Sequence, residues 1–352
     1  MTRRPLAVMR LASLLLVALV LGATSAAHGQ SYPSRPVRII VPYPPGGSSD
    51  IAARTIAAAL AQGAQQPFII DNRPGAGGII GLQAAQAAAA DGHTLLATPA
   101  VLLSMVESQR AGGTSVPAGL ETLVPIAQLG VDSQVLVVGA HRPWRSAREL
   151  LEAARAAPGK LSYASSGQGS TSHLAMQALV LANALEMTHI PYKGMADATA
   201  GLTGGHVDAA VVSAPGIVSH VQAGRLRALA VVGTARSPVL GDVPTIADVG
   251  ISAAVVPSWI GLFAPAGTPA AVQTRLHELI VTALRDPTAV ASLERLMLRI
   301  EPRTGDDFRR IVARDMRIVS ALARGVAPAA SDLARATPAP SPAVAAAPPV
   351  AP

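Results

Sequence analysis

Short apolar runs alternate with helix-patterned segments along most of this chain, and that alternation limits the folds open to it. Strands are predicted at 37–41, 68–71 and 94–98, with helices over 49–62 and 78–88 between them. Strands separated by helices of this length form βαβ units and pair in parallel. The first run, VRIIV, is apolar at nearly every position, as in strands that helices cover on both faces. The chain is therefore predicted to have an α/β fold.

A second alternating series follows the apolar stretch 123–139 and opens with a capping box formed by Ser146 and Glu149. Helices are predicted after Ser170 and near Ala196 and Val218. The strands predicted in this series are 161–164, 188–192, 207–213 and 226–232. The chain then returns through a strand at 258–264 to helices predicted at 269–285, 287–296 and 306–324. Two α/β lobes are expected.

The two ends of the chain differ from the rest in composition. Arg3, Arg4 and Arg10 precede an uncharged apolar run at 11–22, and small residues follow it. This pattern is typical of a cleaved export signal, and the run is too short to span a bilayer comfortably. Residues 1–29 are predicted to be a signal peptide. Residues 328–352 form an alanine-proline tract that cannot bury enough apolar surface to fold, so a disordered tail is predicted there.

Composition excludes several classes of function. The chain has no cysteine, so disulfides, zinc-thiolate sites and cysteine nucleophiles are impossible. The net charge is +7, but the basic residues are scattered and form no run, which argues against a nucleic-acid partner. The histidines have no pairing at metal-ligand spacing. We expect no metal, no cofactor and a monomer.

Two loops of small residues each lead from the first strand of a lobe into a helix: PYPPGGSSD at 42–50 and YASSGQGSTSH at 163–173. Ser48 or Ser49 is predicted to cap the first helix and Ser170 the second. A structural turn with an N-cap would read similarly, so either loop alone is not specific. Ligands of open α/β sheets bind at the carboxyl ends of the strands, and helix N-termini favour anions. Two facing lobes would therefore hold an anion between these two helices.

Enzyme motifs are incomplete in this sequence. The run PGAGGIIG at 74–81 has Ile80 where a dinucleotide fingerprint requires its third glycine. Ser170 and His173 lie one helical turn apart, but the G-x-S-x-G nucleophile elbow does not occur, and capping explains the pair better. We expect no catalytic residues. A hydrolase of small-acid esters is the less favoured alternative.

Blocks of sequence in one order resemble the Bug, or TctC-like, family, the extracytoplasmic receptors of tripartite tricarboxylate transporters. The resemblance runs from Tyr32 to about Val326. The blocks that carry it are PYPPGGSSD (42–50), DNRPGAGGIIG (71–81), DGHTLL (91–96), GKLSYASSGQGSTSHL (159–174), HIPYKG (189–194), AGRLRALAVVGTARSP (223–238), DVPTIADVG (242–250) and PSWIGLFAPAGTP (257–269).

This resemblance implies a type II periplasmic binding protein, with two Rossmann-like lobes joined by crossover strands and a ligand cleft between them. The expected division is 31–128 with 251–327 for the first lobe and 129–250 for the second. The implied function is a periplasmic receptor that captures a small carboxylate and delivers it to the membrane subunits of a transporter. A receptor that senses the ligand for a membrane signalling partner is the alternative.

The resemblance also implies the residues that contact the ligand. From the first lobe these are Tyr43, Gly46, Gly47, Ser48, Ser49, Asp50, Ala76 and Thr98. From the second lobe they are Ser165, Ser166, Gly167, Ser170, Thr171, His173, Tyr192 and Ser213.

The chain departs from the family pattern at three places. Pro45 stands where alanine is usual and removes one backbone donor. Val212 and Ser213 replace an acidic-amide pair that the family often has, which leads to the hypothesis that the far end of the ligand is less polar than in an amino-dicarboxylate. The stretch 99–117 lacks the usual asparagine-proline and tyrosine pattern, and its part in the cleft is left open.

Overall fold

The computed structural model describes residues 32–116, 118–233, 235–237, 239–252 and 255–329, together with Asp332. The predicted signal peptide lies outside these residues, and so does the predicted tail apart from Pro328, Ala329 and Asp332. No helix in the described part of the chain combines the length and apolar composition needed to cross a bilayer. The contacts reported below lie within the compact unit that begins at Arg35.

The observed elements follow the predicted alternation. The strands are β1 (Val37–Val41), β2 (Phe68–Asn72), β3 (Thr94–Pro99), β4 (Leu123–Asp132), β5 (Gln134–Gly139), β6 (Ser162–Ser165), β7 (Thr188–Pro191), β8 (Ala209–Ser213), β9 (Leu226–Val231), β10 (Trp259–Pro265), β11 (Leu298–Arg299) and β12 (Arg303–Thr304). The helices are α1 (Ser48–Ala64), α2 (Ile79–Gln86), α3 (Val101–Ala111), α4 (Ala147–Ala156), α5 (Thr171–Ala182), α6 (Met195–Thr203), α7 (Val218–Gln222), α8 (Ala270–Ala283), α9 (Pro287–Arg295) and α10 (Gly305–Ala323).

These strands form two mixed sheets. The first has the order β11-β4-β10-β3-β1-β2, with β12 also paired to β4. The second has the order β7-β6-β8-β5-β9. The predicted parallel pairing is confirmed for β1 with β2 and β3, and for β6 with β7 and β8. Strands β10 and β5 run antiparallel to their neighbours, so neither sheet is purely parallel.

The chain passes between the sheets at two crossovers. Strand β4 ends in the first sheet at Asp132, and β5 begins in the second sheet at Gln134. The return leads to β10, which begins at Trp259. Two hydrogen bonds connect the crossovers: Asp132 N donates to Ser258 O at 2.7 Å, and Gln134 Nε2 donates to Ser258 Oγ at 2.9 Å. The paired crossovers place the carboxyl ends of β1 and β6 around one shared region.

Aliphatic side chains and alanines make up most of the core, as a chain with few aromatic residues requires. Three of its aromatic residues, Trp259, Phe263 and Phe308, form a cluster whose ring centroids lie 5.3 to 5.8 Å apart. Gly261 lies beside it, and a Cβ atom there would come within 2.5 Å of Phe308 Cζ. This strand position has room only for glycine.

Two local predictions have clear outcomes. The capping box at α4 is confirmed, because Ser146 Oγ accepts a hydrogen bond from Glu149 N at 3.2 Å. The reciprocal bond comes from Arg145 N rather than Ser146 N. The predicted caps at Ser48 and Ser49 are wrong: the N-cap is Gly47, without a side-chain hydrogen bond, and both serines lie in the first turn of α1. Helix α3 was not predicted.

Candidate ligand-binding cleft

A cavity of about 400 Å³ opens where the two crossovers and both sheets meet, within the size range of small-molecule sites. Its described lining contains no lysine, arginine or histidine. The first sheet and its helices contribute Ser48, Pro99, Ala100, Val101, Asp132, Trp259, Ile260, Leu296 and Leu298. The second sheet, its helices and the crossovers contribute Gln134, Ser166, Thr171, Ser172, Met195, Ser213, Pro215, Gly216, Pro257 and Ser258.

Asp50 holds the first loop in place from beneath. Its side chain is almost fully buried, and Oδ2 accepts hydrogen bonds from Gly46 N at 2.9 Å and Arg54 Nε at 3.0 Å. The other oxygen accepts from Asn72 Nδ2 at 2.9 Å, and the same amide donates to Tyr43 O at 3.1 Å. Burial raises the pKa of Asp50, but the hydrogen bonds outweigh it and lower the pKa to about 2. The carboxylate stays ionised and orients the loop instead of facing the cavity.

Gly46 takes a φ of +86°, a left-handed conformation that favours glycine. The N-cap residue of α1 is Gly47, so no N-cap side chain accepts a hydrogen bond from the N–H groups of the first turn. Tyr43 packs beside the 3₁₀ turn Ala76–Gly78, with its hydroxyl 3.5 Å from Gly77 O, and burial raises its pKa. From this loop, Ser48 lines the cavity.

The second loop is held by its own serines. Ser170 is the N-cap of α5, as predicted: its Oγ accepts from His173 N at 3.3 Å and donates to Gly167 O at 2.7 Å. Ser172 Oγ accepts from Ser166 N at 3.0 Å. Ser165 is buried, and its Oγ atom lies 2.7 Å from His189 Nε2. These bonds leave Ser166, Thr171 and Ser172 on the cavity.

Two stacked histidines support this loop from behind. The rings of His173 and His189 lie 4.1 Å apart, and Tyr163 stacks on His189 at 5.0 Å. His173 Nδ1 accepts from Gly169 N at 3.2 Å, which requires an unprotonated nitrogen. Burial, helped by the neighbouring His189, lowers the pKa of His173 to about 4. His173 is therefore neutral at physiological pH and shapes the loop.

Helix α3 reaches from the first sheet to the second loop. Ser108 Oγ donates to Gly169 O at 3.3 Å, and a Cβ atom at Gly169 would come within 2.4 Å of Ser108 Cβ. This contact connects α3 to the second loop. The helix begins at Val101, which also lines the cavity.

Residues 52–323 match the sequence model of the family described as "Tripartite tricarboxylate transporter family receptor". The chain belongs to this family. Its members are solute-binding receptors and not enzymes, so the predicted receptor class is confirmed and the hydrolase alternative is set aside. A relative encoded in the tcbD-tcbE intergenic region of Pseudomonas sp. strain P51 is 38% identical over 285 residues, covering 80% of this chain and 84% of that protein.

Solved structures of the receptor family share the fold. A solute-binding protein of this family from Polaromonas, without ligand, is 31% identical with a TM-score of 0.74, covering 83% of this chain and 99% of that one. A Rhodopseudomonas palustris protein with adipate is 30% identical with a TM-score of 0.68, covering 85% of this chain and 100% of that one. The predicted periplasmic binding protein fold is confirmed.

Within this receptor fold, the sixteen residues proposed to contact ligand separate by position. Those on the cavity are Ser48, Ser166, Thr171 and Ser213. Those that brace the loops with buried side chains are Asp50, Ser165, Ser170 and His173. Gly46, Gly47, Ser49 and Gly167 belong to the loops without lining this cavity.

The remaining four lie further away. Tyr43 and Ala76 pack around the 3₁₀ turn, and Ala76 is exposed with a φ of +48°. Thr98 is fully buried and its hydroxyl donates to Pro99 O at 3.2 Å. The ring of Tyr192 lies against Gly201 of α6, where a Cβ atom would come within 2.3 Å of the hydroxyl. These four do not line the described cavity.

The sequence alone did not predict several residues that line the cavity, and the argument from Val212 is wrong. Asp132, Gln134, Ser258 and Trp259 lie at or beside the crossovers. The polar triplet Asp132-Ser133-Gln134 inside the apolar stretch 123–139 is a signal for the first two. Val212 is fully buried in the core of the second sheet, so it takes no polarity from the cleft wall. Because side chains alternate along a strand, its neighbour Ser213 lines the cavity.

Proposed function

We propose that this chain is a periplasmic receptor that captures a small carboxylate and delivers it to the membrane subunits of a tripartite transporter. The observation that carries the proposal is a pair of helix N-termini on one cavity. Ser48 in the first turn of α1 and Thr171 in the first turn of α5 both line it. Helix N-termini offer unpaired N–H groups and a partial positive charge, so a carboxylate between them receives donors from two directions.

Hydroxyl and main-chain donors supply the binding in this proposal, since the described lining has no basic side chain. The relative that is bound to adipate supports a carboxylate as the ligand class. In this proposal two lobes close around the ligand. The first lobe comprises 31–128 and 251–327, and the second comprises 129–250. Ser133 and the residues before Trp259 form the crossovers between them. The Ser108–Gly169 hydrogen bond supports a contact between the lobes on closing.

Mass spectrometry of the native protein, freshly purified, tests the capture step. A small acid should be retained, and calorimetry against a panel of acids should identify the tightest binder. Thr171→Val, which removes a cavity hydroxyl at nearly constant shape, should weaken affinity by about tenfold, because a charge-assisted hydrogen bond contributes roughly 1.5–3 kcal/mol.

Thr203→Val is the matched control, because that hydroxyl bonds Thr199 O and Ala200 O within α6. Its affinity should match that of the unmodified protein. Equal affinity in both variants would overturn the placement of the anion at α5.

Location and delivery have separate tests. N-terminal sequencing of the protein from a periplasmic fraction should begin at His28 or Gln30. Deleting the gene should abolish uptake of the captured acid, and restoring it should return uptake. Intact uptake with a lost transcriptional response to the acid would instead favour the sensing alternative.

A further inference from the structure

Asp132, the last residue of β4, is the only residue with an ionisable side chain among the described lining of the cavity. Its Oδ2 atom accepts two long hydrogen bonds, from Gln134 Nε2 at 3.4 Å and Ser258 Oγ at 3.5 Å. Its Oδ1 atom is buried and has no hydrogen-bond partner among the described residues. An unsatisfied buried acceptor is costly, so the Asp132 carboxylate, which lines the cavity, favours a ligand that brings it a hydrogen-bond donor.

The groups that lower the pKa of this carboxylate are neutral ones. Burial raises the pKa of Asp132 to about 6, although the hydroxyls of Ser213 and Ser258 and the Ser133 N–H act in the opposite direction. Asp132 is therefore still mostly ionised at neutral pH.

Basic side chains line a second cavity of about 130 Å³, which Asp132 also borders. Arg299 is paired with Glu301 there, and Arg314 with Asp315. Arg303, which is buried, also lines this second cavity. None of these arginines lines the larger cavity, so the charge of Asp132 is presented to a ligand there without a basic partner on the described wall.

We infer that Asp132 is a specificity-determining residue that favours a carboxylate ligand carrying a hydrogen-bond donor, an ammonium or a hydroxyl, at its other end and disfavours one with a second carboxylate. The inference rests on the proposed function, since it assumes that the first carboxylate binds at the helix N-termini. A second carboxylate would share a cavity of about 400 Å³ with Asp132, and like charges at close range repel. A donor would instead hydrogen-bond the Asp132 carboxylate.

The rest of the wall defines the middle of such a ligand. Met195, Trp259, Leu296 and Leu298 present apolar side chains to the cavity. An apolar spacer between the two polar ends matches this wall. The ligand class is thus an amino- or hydroxy-terminated short-chain carboxylate, which differs from the dicarboxylate held by the Rhodopseudomonas relative.

Calorimetry with two matched series of acids tests the inference. The six-carbon series is ε-aminocaproate, ε-hydroxycaproate, caproate and adipate, and the four-carbon series is γ-aminobutyrate, γ-hydroxybutyrate, butyrate and succinate. In the series that binds, the amino and hydroxy acids should bind more tightly than the dicarboxylate by about tenfold or more. In Asp132→Asn the dicarboxylate should gain affinity and the amino acid should lose it.

Glu301→Gln is the matched control, because it makes the same change of charge at a residue that lines the smaller cavity but not the larger one, and it should leave the order of affinities unchanged. Asp132→Ser serves as a second variant if the asparagine variant does not fold, with folding checked by thermal unfolding. An order that Asp132→Asn leaves unchanged, or a dicarboxylate that binds most tightly to the unmodified protein, would overturn the inference alone. Absence of binding by every acid to every folded variant would count against the proposed function itself.

Discussion

Replacing Asp50 with alanine should weaken ligand binding more than it weakens the fold. The buried carboxylate accepts hydrogen bonds from Gly46, Arg54 and Asn72, at 2.9 to 3.0 Å. Leaving a buried donor unsatisfied costs roughly 1–3 kcal/mol, but Arg54 is 52% exposed and is readily rehydrated. Because Gly46 is exposed too, we expect the free energy of unfolding to fall by only about 1–2 kcal/mol.

Ligand affinity should respond more strongly, because the loop that presents the N-terminus of α1 loses its support. A loss of about tenfold, equivalent to about 1.4 kcal/mol, is expected. Urea unfolding followed by circular dichroism measures the first quantity, and calorimetry with the acid that binds the unmodified protein most tightly measures the second. The far-ultraviolet spectrum should be unchanged.

Asp208 provides the matched control. It is also buried, accepts Ser162 N at 2.7 Å and Ser162 Oγ at 3.0 Å, and pairs with Arg142 at 2.8 Å. It precedes β8, at the end of the second sheet away from Ser213 and the cavity. Asp208→Ala should cost similar stability and leave affinity intact. An equal loss of affinity in both variants, or none in Asp50→Ala, would refute the role assigned to Asp50.

Two further predictions concern stability. Folded His173 has a pKa of about 4 against an ordinary 6.5, so the unfolded chain binds the proton first, and stability should fall as the pH drops from about 6.5 towards 4. His173→Gln should reduce that slope in urea unfolding measured across this range, and an unchanged slope would contradict the shift. Gly261→Ala should lower the free energy of unfolding by about 1–3 kcal/mol through overpacking against Phe308. Gly216→Ala, which adds its methyl group to open space, should cost much less, and equal melting of the two variants would argue against the packing described.

Local pattern was enough to predict most of the fold. Strands such as β1 and β10 are largely apolar, so predicted and observed ends differ by no more than two residues where both were stated. Helix α3 was missed because its N-cap, Ala100, has no capping side chain and Pro99 directly precedes it. Without a start signal, its periodicity did not stand out.

The candidate site was less predictable than the fold because part of it is made by residues far apart in the chain. Asp132 and Ser258 are brought together by the crossovers, and no local pattern connects them. The phase of β8 mattered as well: one position decides whether Val212 or Ser213 lines the cavity. The two loops join strand to helix as predicted, but most of their polar side chains bind the loop itself, and only the packed structure separates these from the ones that line the cavity.

A crystal structure of the protein with its tightest-binding acid tests the central claim most directly. The account predicts one carboxylate held between the first turns of α1 and α5, in contact with Ser48 and Thr171 and enclosed by both sheets. An acid bound on an outer surface, or contacting the residues of one sheet alone, would contradict it.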